Sequence, residues 1–416
     1  MPKALIIGRA GVALASGDFF SLCGYGTDTT TRANTQISCT HAATFSNFRG
    51  RIVGGNSGTA TLTFEVAGAA GNQTFNITGT GTNEDSVNTD VLAAADLFDI
   101  AYTDTGSNST PGWWAANIAL STGHGNIHGV AAYAGRVFDV ASSTRFIPLM
   151  GGLQVDGFSS ETTANWKTRG YSTFDALQVR VTANARTNDS IFRNRIADAD
   201  GTGVVTFTTG ATGVLSDTAI GDAITDGQTI NASITLNTGV EDLTVSFVAA
   251  TLTSSSNKSE SFGGSITSSA GNGVSRTAST TANYCTIGGY LGAFLTEALS
   301  EADARIKVGF AAVVSNLRCY LSDNTYTGDG TLKLYQNGSA VLTTTITASG
   351  GAGWYENASN TITIDADDEL SFEFDEGTSG SITIHSVGIT FAPVAAPGGT
   401  ILPQMMQHGL FLGMRT

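Results

Sequence analysis

Histidine is the residue type in this chain best suited to metal binding, but its spacing gives little support for a site. The five histidines are His41, His124, His128, His385 and His408. His124 and His128 are four residues apart, which would place both on one face of a helix. Gly123 and Gly125 disfavour a helix there. We therefore expect no metal ion and no other cofactor.

The four cysteines, Cys23, Cys39, Cys285 and Cys319, lack the CxxC spacing typical of zinc sites. In a reducing cytosol we expect them to be buried free thiols. A disulfide between the first two or between the last two is the alternative.

Carboxylates cluster in one segment, where calcium binding is the chemistry to consider. Its members are Asp365, Asp367, Asp368, Glu369, Glu373, Asp375 and Glu376. Leu370, Phe372 and Phe374 alternate with several of them, which indicates acids on the solvent face of a strand. The stretch 198–201 (DADG) partly resembles a calcium loop, but the later ligands are missing.

Residue patterns for covalent catalysis or phosphate binding are missing from the sequence. It contains no GxSxG, no P-loop and no Cys/His nucleophile pair. We therefore expect a protein that is not an enzyme. Trp113, Trp114, Trp166 and Trp354 are candidates for stacking on sugars, although packing in a core or between modules is the favoured interpretation for the first two.

The elements that would position these residues repeat along the chain. The stretch 45–52 (FSNFRGRI) has a counterpart in 314–321 (VSNLRCYL) and a weaker one in 174–181 (FDALQVRV). An aromatic-led strand precedes each copy, at 19–24, 146–151 and 284–289. Units repeated at domain-sized spacing favour assembly or display over a single active site.

Strands with period-two alternation follow in each copy, as in Ala60, Leu62, Phe64 and Val66. Asn337-Gly338 between two such strands predicts a hairpin. Ile382 and Ile384 change parity to Val387 and Ile389, which predicts a β-bulge. The segments 91–97 and 295–306 look helical alone, but their counterparts in the other copies do not, so we expect loop and strand with at most one helical turn.

The predicted fold is therefore all-β, with three tandem antiparallel, jelly-roll-like β-sandwich modules and short terminal arms. The expected units are an arm at 1–18, module 1 at 19–125, a junction at 126–145, module 2 at 146–255, a Ser/Gly/Thr linker at 256–283, module 3 at 284–393 and an apolar tail at 394–416. The three modules share a strand scaffold but no evident polar constellation, so we expect attachment through the ends.

The candidate attachment residues are apolar and lie near both termini. They are Leu5, Ile6, Ile7, Ile401, Leu402, Met405, Met406, Leu410, Phe411 and Leu412. A solvated tail needs no such density of apolar side chains, so docking on a partner is the favoured interpretation. Packing of the tail on module 3 is the alternative.

Charge limits the partners. The net charge is −15, which disfavours nucleic acid and anionic membranes. No apolar run is long enough to span a bilayer. The first nine residues are too short for a secretion signal, so we expect synthesis and folding in a cytoplasm.

Each repeat contains an aromatic opening strand, a Ser-Asn segment with alternating Arg, a hairpin and an acidic turn. This pattern resembles the jelly-roll modules of tailed-bacteriophage virion proteins. It is similar in outline to the C1q/tumour-necrosis-factor-like sandwich. Module 2 departs most, with Asp175-Ala176 in place of Ser-Asn. The resemblance implies a virion protein that decorates or cements the capsid exterior, with the major capsid protein as main partner. It also implies possible self-association or an internal pseudo-trimer. A tail or head fibre that binds a receptor or glycan is the alternative.

Overall fold

The computed structural model describes residues 4–10, 14–22, 24–26, 30–106, 108–120, 126–138, 143–149, 152–153, 157–237, 241–254, 258–264, 274–277, 282–287, 289–290, 300–375 and 377–394. Strands dominate this part of the chain, so the predicted all-β class is confirmed. Its helical elements are short: a 3-10 turn at Arg32–Asn34, α1 at Glu161–Ala164 and α2 at Glu301–Ala304.

Sandwich 1 contains two sheets. Its strands are β1 Ala4–Ala10, β2 Phe19–Phe20, β3 Gly24–Gly26, β4 Ile37–Ser38, β5 Ala43–Gly54, β6 Thr59–Val66, β7 Ala69–Thr78, β8 Gly81–Leu92, β9 Leu97–Asp104 and β10 Thr110–Leu120. The sheet that holds the first and last strands, here called the inner sheet, has the order β3-β1-β10-β5-β8. The outer sheet has the order β2-β9-β6-β7, with β4 also paired to β9.

Sandwich 2 has the same plan. Its strands are β11 Asn126–Phe138, β12 Ser143–Ile147, β13 Gly152–Leu153, β14 Trp166–Lys167, β15 Thr173–Asn184, β16 Ser190–Ile196, β17 Ala199–Phe207, β18 Gly213–Asp217, β19 Asp222–Ala223, β20 Thr229–Leu236 and β21 Leu243–Thr253. The inner sheet runs β13-β11-β21-β15-β18 with β19 beside β15, and the outer sheet runs β12-β20-β16-β17 with β14 beside β20.

Sandwich 3 follows the plan again. Its strands are β22 Ser259–Gly264, β23 Val274–Thr277, β24 Asn283–Cys285, β25 Gly289–Tyr290, β26 Ile306–Lys307, β27 Ala312–Asn324, β28 Gly330–Gln336, β29 Ser339–Ile346, β30 Gly353–Ile364, β31 Glu369–Asp375 and β32 Ser381–Pro393. The inner sheet runs β25-β22-β32-β27-β30 with β23 beside β32, and the outer sheet runs β24-β31-β28-β29 with β26 beside β31.

Each pair of sheets encloses a hydrophobic core that the alternation in sequence builds. On β6, Ala60, Leu62 and Phe64 are buried while Thr61 and Thr63 are half-buried on the opposite face. Because successive side chains of a strand point to opposite sides, this alternation gives one face to the core and one to solvent. Three clusters of buried apolar residues result, one for each sandwich.

Two local predictions are confirmed by backbone geometry. Asn337 and Gly338 have φ of 51° and 82° and join β28 to β29 in a two-residue hairpin, as the Asn-Gly pair predicts. The parity slip in β32 is a bulge, because Tyr320 pairs with Ser386 while Leu321 pairs with Ile384. The skipped residue, His385, is buried.

The interpretation of the two helix-like segments is also confirmed where the structure describes them. Segment 91–97 is the end of β8, a turn and the start of β9. Of segment 295–306, residues 300–306 form the single turn α2 and the start of β26, and the remainder lies outside the described residues.

The segments interpreted as arm, junction and linker need a correction, because each contributes strands to an inner sheet. β1 pairs with β10, β11 pairs with β21, and both β22 and β23 pair with β32. Ser, Gly and Ala are frequent in β11 and β22, and such residues give no alternating apolar signal. The module boundaries at the predicted residue numbers remain a prediction.

Candidate interaction interface

One position of the inner sheet carries a buried polar side chain in all three sandwiches. Strand alignment places Arg49 of β5, Gln178 of β15 and Arg318 of β27 at this position, directly after the buried Phe48, Leu177 and Leu317. The three polar residues are 0%, 2% and 0% exposed. Buried groups of this kind need partners, and each finds one on a different sandwich.

The partner in each case is a short edge strand of a neighbouring outer sheet, together with the residues that follow it. These edge strands are β4, β14 and β26, which pair on one side only, with β9, β20 and β31. Unpaired backbone groups at a sheet edge must be covered or solvated. We call the polar position and its surroundings the face of a sandwich, and the edge strand with its following residues the edge.

The face of sandwich 1 contacts the edge of sandwich 3. Arg49 Nη2 donates to the carbonyl oxygen of Val308 at 3.0 Å and to Asn117 Oδ1 at 3.1 Å. Asn117 Nδ2 in turn donates to the carbonyl oxygen of Gly309 at 3.3 Å. Burial lowers the pKa of Arg49 to about 10, opposed by the charge of Glu84, so the side chain stays cationic at neutral pH.

Gly309 shows how close this approach is. Its φ is +75°, a conformation that glycine adopts without strain. A Cβ atom at this residue would lie 2.7 Å from Asn117 Nδ2 and 3.3 Å from Arg49 Nη1. Both the backbone conformation and the neighbouring sandwich therefore require glycine here.

Ion pairs surround the buried arginine. Lys307 Nζ lies 2.8 Å from Glu84 Oε1, and Arg51 Nη2 lies 2.6 Å from Asp303 Oδ1. The hydrogen bond to Glu84 raises the pKa of Lys307 above its usual value. Burial acts to raise the pKa of Asp303, but hydrogen bonds from Ser300 and Arg51 outweigh it and hold the pKa below its usual value. Lys307 and Asp303 are thus charged at neutral pH.

The face of sandwich 3 contacts the edge of sandwich 2 in the same way. Arg318 Nε donates to the carbonyl oxygen of Lys167 at 3.2 Å, and Arg318 Nη1 donates to Thr390 Oγ1 at 3.2 Å. Glu356 accepts from Lys167 Nζ at 3.2 Å and from two nitrogens of Arg169 at 2.6 and 2.7 Å. Burial acts to raise the pKa of Glu356, but the Arg169 hydrogen bond and the Arg318 charge hold it below its usual value.

Aromatic side chains extend this second interface. The rings of Phe158 and His385 lie 6.3 Å apart across it, and His385 lies 6.0 Å from Tyr320. Trp354 packs on Tyr320 at 5.4 Å, and Lys167 Nζ lies 6.0 Å from the Trp354 ring centre. The half-buried Trp354 therefore serves the interface between sandwiches 3 and 2.

The face of sandwich 2 contacts the edge of sandwich 1, here without any ion pair between the corresponding residues. Gln178 Nε2 donates to Ser38 Oγ at 3.2 Å, and the hydroxyls of Thr251 and Thr40 lie 2.5 Å apart. Arg180 Nη1 donates to Gln36 Oε1 at 3.1 Å. Burial lowers the pKa of Arg180, opposed by the charge of Asp99 on sandwich 1. The geometry is that of the other interfaces, but the contact at the position of Arg49 and Arg318 is neutral.

Apolar contacts cross two of the interfaces at matching positions. Trp113 and Ala115 of β10 pack in the hydrophobic cluster of sandwich 3. Phe247 and Ala249 of β21 pack in the cluster of sandwich 1. Trp113 lies opposite Arg51 and Phe247 opposite Arg180 in the register of their sheets, so the two aromatic residues are equivalent.

The contacts close a ring, in which sandwich 1 contacts 3, sandwich 3 contacts 2 and sandwich 2 contacts 1. In addition, β3 lies against β11, β13 and β25, and β1 lies against β22 and β25. A linear string of modules, the arrangement that would exclude an internal pseudo-trimer, is not what the structure shows. The interfaces join unlike surfaces, as in a heterologous ring.

Sequence reasoning missed these residues and concluded that the modules share no polar constellation. That conclusion is wrong for the position of Arg49, Gln178 and Arg318. A signal was present in the Ser-Asn segment: Asn47 and Asn316 have φ of 53° and 54°, and their carbonyl oxygens accept from Arg49 Nη1 at 2.6 Å and Arg318 Nη1 at 2.9 Å. The Asn-x-Arg spacing thus marks an arginine that its own strand holds in place.

The predicted attachment residues are only partly visible. Leu5, Ile6 and Ile7 lie on β1, paired with Asn117, Ala116 and Ala115. The structure therefore places their backbone within a sheet, and their role in attachment stays a prediction. The seven candidates of the tail (Ile401, Leu402, Met405, Met406, Leu410, Phe411 and Leu412) lie outside the described residues.

The other candidates for chemistry have structural roles where they are described. Trp113, Trp114 and Trp166 are at most 1% exposed, so packing, the favoured interpretation for the first two, is confirmed and none of the three offers a surface to a sugar. Asp368 accepts from Gln336 and Asn337 and stabilises the hairpin turn, while Glu373 pairs with Lys333 at 2.8 Å.

The remaining candidates for metal or thiol chemistry are buried or lie outside the described residues. Cys285 and Cys319 are buried free thiols, whose pKa burial raises, and Cys39 is buried. His124 and His408 fall outside the described residues. No three His, Cys, Asp or Glu side chains within the described ranges are arranged to hold a metal ion. In the same ranges, no helix has the length and apolar character needed to cross a membrane.

His385 gives the second interface a predicted pH dependence. Burial lowers its pKa from 6.5 to about 4, so the unfolded chain binds the proton more tightly than the folded chain. Stability should therefore fall as the pH drops from about 6.5 towards 4. We expect H385Q to remove this loss, so that the unfolding constant of the wild type rises relative to the variant by up to about tenfold per pH unit in this window. Urea unfolding at several pH values measures it; parallel pH profiles would contradict it.

Comparisons with known proteins do not assign the chain to a family. No family model matches it, and no curated protein matches it. Among solved structures, it is similar to the major capsid protein P2 from bacteriophage PM2, at 8% identity over 66% of this chain and 99% of that one, with a TM-score of 0.18. A chain of Sulfolobus Turreted Icosahedral Virus has 14% identity over 86% and 81%, with a TM-score of 0.17. The insecticidal delta-endotoxin Cry8Ea1 from Bacillus thuringiensis has 11% identity over 55% and 54%, with a TM-score of 0.18. Superpositions this weak do not define a shared fold, so the inference of function depends on the chain itself.

Proposed function

We propose that this chain is a non-enzymatic structural protein of a virion, and that it decorates or cements the outside of a bacteriophage capsid as a single-chain pseudo-trimer. The observation that carries the proposal is the ring. The equivalent buried polar residues Arg49, Gln178 and Arg318 each bind a neighbouring sandwich. The most regular polar feature of the repeat is thus used for assembly.

The ring supports a structural role because of its symmetry. An object with three similar sandwiches around one axis presents three similar surfaces to a partner. Capsids offer sites of threefold or local threefold symmetry, and a symmetric partner can use all of its contacts there at once. The net charge of −15 suits an exposed location, because it keeps neighbouring molecules in solution from associating.

Attachment would use the apolar tail, with the major capsid protein as the partner. A fibre that binds glycan through tryptophan is less well supported, because Trp113, Trp114 and Trp166 are buried and Trp354 packs between two sandwiches. The proposed virion protein is made in the host cytoplasm and needs neither cofactor nor nucleic acid.

Immunogold electron microscopy of purified virions tests the location. We expect label on the outer surface of the head. Absence of the chain from virions, or label confined to the tail, would overturn the proposal of capsid decoration. The full-length chain and a chain ending at residue 394 should then be added to particles that lack the protein. Binding by the full-length chain alone supports docking through the tail, and equal occupancy would show that the sandwiches attach by themselves.

A further inference from the structure

The three interfaces of the ring fall into two chemical classes. The class is set by three positions: the buried residue of the face, the residue opposite it on the next strand, and a residue of the edge. The interface between the face of sandwich 1 and the edge of sandwich 3 has Arg49, Glu84 and Lys307. The interface between the face of sandwich 3 and the edge of sandwich 2 has Arg318, Glu356 and Lys167. The interface between the face of sandwich 2 and the edge of sandwich 1 has the uncharged set Gln178, Ser216 and Ser38.

The positions are equivalent by strand pairing. Arg49 pairs with Glu84 across β5 and β8, Arg318 pairs with Glu356 across β27 and β30, and Gln178 pairs with Ser216 across β15 and β18. Lys307, Lys167 and Ser38 each form the second residue of an edge strand. Val214 of β18 packs against the cluster of sandwich 1, which places this strand at the third interface.

All three positions change together. Where the face carries arginine and glutamate, the edge that it meets carries lysine; where the face carries glutamine and serine, the edge carries serine. This match matters because a charged group that loses its partner in a partly dry interface retains the cost of desolvation. The side chains of Glu356 and Lys167 are only 9% and 20% exposed, so the cost applies here.

The opposite order round the ring would break the match. It would bring the face of sandwich 1 to the edge of 2, the face of 2 to the edge of 3, and the face of 3 to the edge of 1. Lys307 would then meet Gln178 and Ser216, and Glu356 would meet Ser38. Lys307 would keep only the exposed Asp367 of its own sandwich, at 3.0 Å. One ion pair would then cross the ring at these positions, against two in the observed order.

We propose that these nine residues are specificity determinants that fix the order of the sandwiches in the ring. The three sandwiches share one plan, and the charges at these positions distinguish arrangements that the plan alone leaves alike. Charge matching disfavours the wrong one by removing ion pairs that cross the interfaces. The inference concerns assembly of the chain itself and does not depend on the proposed role in a virion.

Exchange of residue sets within the full-length chain tests the proposal at constant net charge. In the complete exchange, R49Q, E84S and K307S are combined with Q178R, S216E and S38K, so the first and third interfaces trade classes and every interface stays matched. In the half exchange, only K307S and S38K are made, so both interfaces become mismatched. We expect the half exchange to raise the unfolding constant at least tenfold above that of the complete exchange, in urea unfolding at low salt.

Two further measurements keep the test decisive. In a control version of the complete exchange, T206E replaces S216E, so the same negative charge lies at an exposed residue of the outer sheet, away from S38K. This version should be less stable than the complete exchange. If the exchanged chains do not fold, a double-mutant cycle of E84S and K307S measures the native pair. Coupling of at least about threefold in the unfolding constant supports the proposal. Equal stability of half and complete exchange, or coupling below twofold in the cycle, would overturn it.

Discussion

Replacement of Arg49 by methionine should lower the free energy of unfolding by about 3 kcal/mol, the cost typical of removing one partner from a buried charged network. Methionine keeps much of the side-chain volume but cannot donate to the carbonyl oxygen of Val308 or to Asn117, which are 3.0 and 3.1 Å away. Glu84 of β8 would also lose the positive charge of Arg49, which lies opposite it on β5. Guanidinium unfolding measures the loss, and hydrogen exchange at the amides of residues 308 and 309 locates it.

Gln178 offers a matched control, since it holds the same position in sandwich 2. Its replacement by methionine removes one neutral hydrogen bond to Ser38 and should cost about 1 kcal/mol. A loss for R49M no greater than that for Q178M would contradict the view that charge makes the interface between sandwiches 1 and 3 the stronger one. Because three sandwiches can unfold in steps, the comparison should use amide exchange as well as the overall transition.

The sequence predicted the strand architecture well because that architecture depends on local patterns. Alternation of apolar residues defines a face within six to eight residues, as in Ala60, Leu62 and Phe64. The hairpin at Asn337-Gly338 and the bulge at His385 also follow from short stretches of chain. Comparison of the repeats corrected the helix-like appearance of 91–97, since the equivalent segment 362–367 alternates.

The strands in the segments interpreted as junction and linker were not predicted, for a physical reason. Gly, Ala and Ser make up much of β11 and β22, and these two strands contact β3 and β1 of sandwich 1. Small residues let backbones approach closely, but they give no apolar periodicity to detect. A stretch such as 256–283 therefore has the composition of a linker although it contains two strands.

The interface was not predicted because each of its contacts joins two residues that are far apart in the sequence. Arg49 and Val308 are more than 250 residues apart, and half of their contact is a backbone carbonyl, which no side-chain pattern records. The repeat nevertheless contained the information that Arg49 and Arg318 are equivalent and that glutamine replaces them in module 2. A comparison that followed the partners Glu84 and Glu356 through the same alignment would have found the charge match.

Replacement of Trp113 or Trp114 by alanine should cost about 3 to 5 kcal/mol in either case, as for other buried aromatic residues, but in different parts of the molecule. Trp114 packs on Phe20 with ring centres 4.1 Å apart and donates to the carbonyl oxygen of Ser21 at 2.9 Å, so W114A should loosen the core of sandwich 1. Trp113 belongs to the same strand but packs in the cluster of sandwich 3. W113A should therefore open the interface between sandwiches 1 and 3.

Hydrogen exchange separates the two outcomes. W113A should increase exchange at residues 306–309, and W114A should increase it in β2 and β9. Phe247 is the equivalent of Trp113 in sandwich 2, so F247A should open the interface between sandwiches 2 and 1 instead. If W113A increased exchange only within sandwich 1, Trp113 would be an ordinary core residue, and closure of the ring would rest on the polar contacts alone. The predicted pattern would instead mean that β10 and β21 each contribute one aromatic side chain to a neighbouring sandwich, so that neither sandwich 1 nor sandwich 3 has a complete core outside the ring.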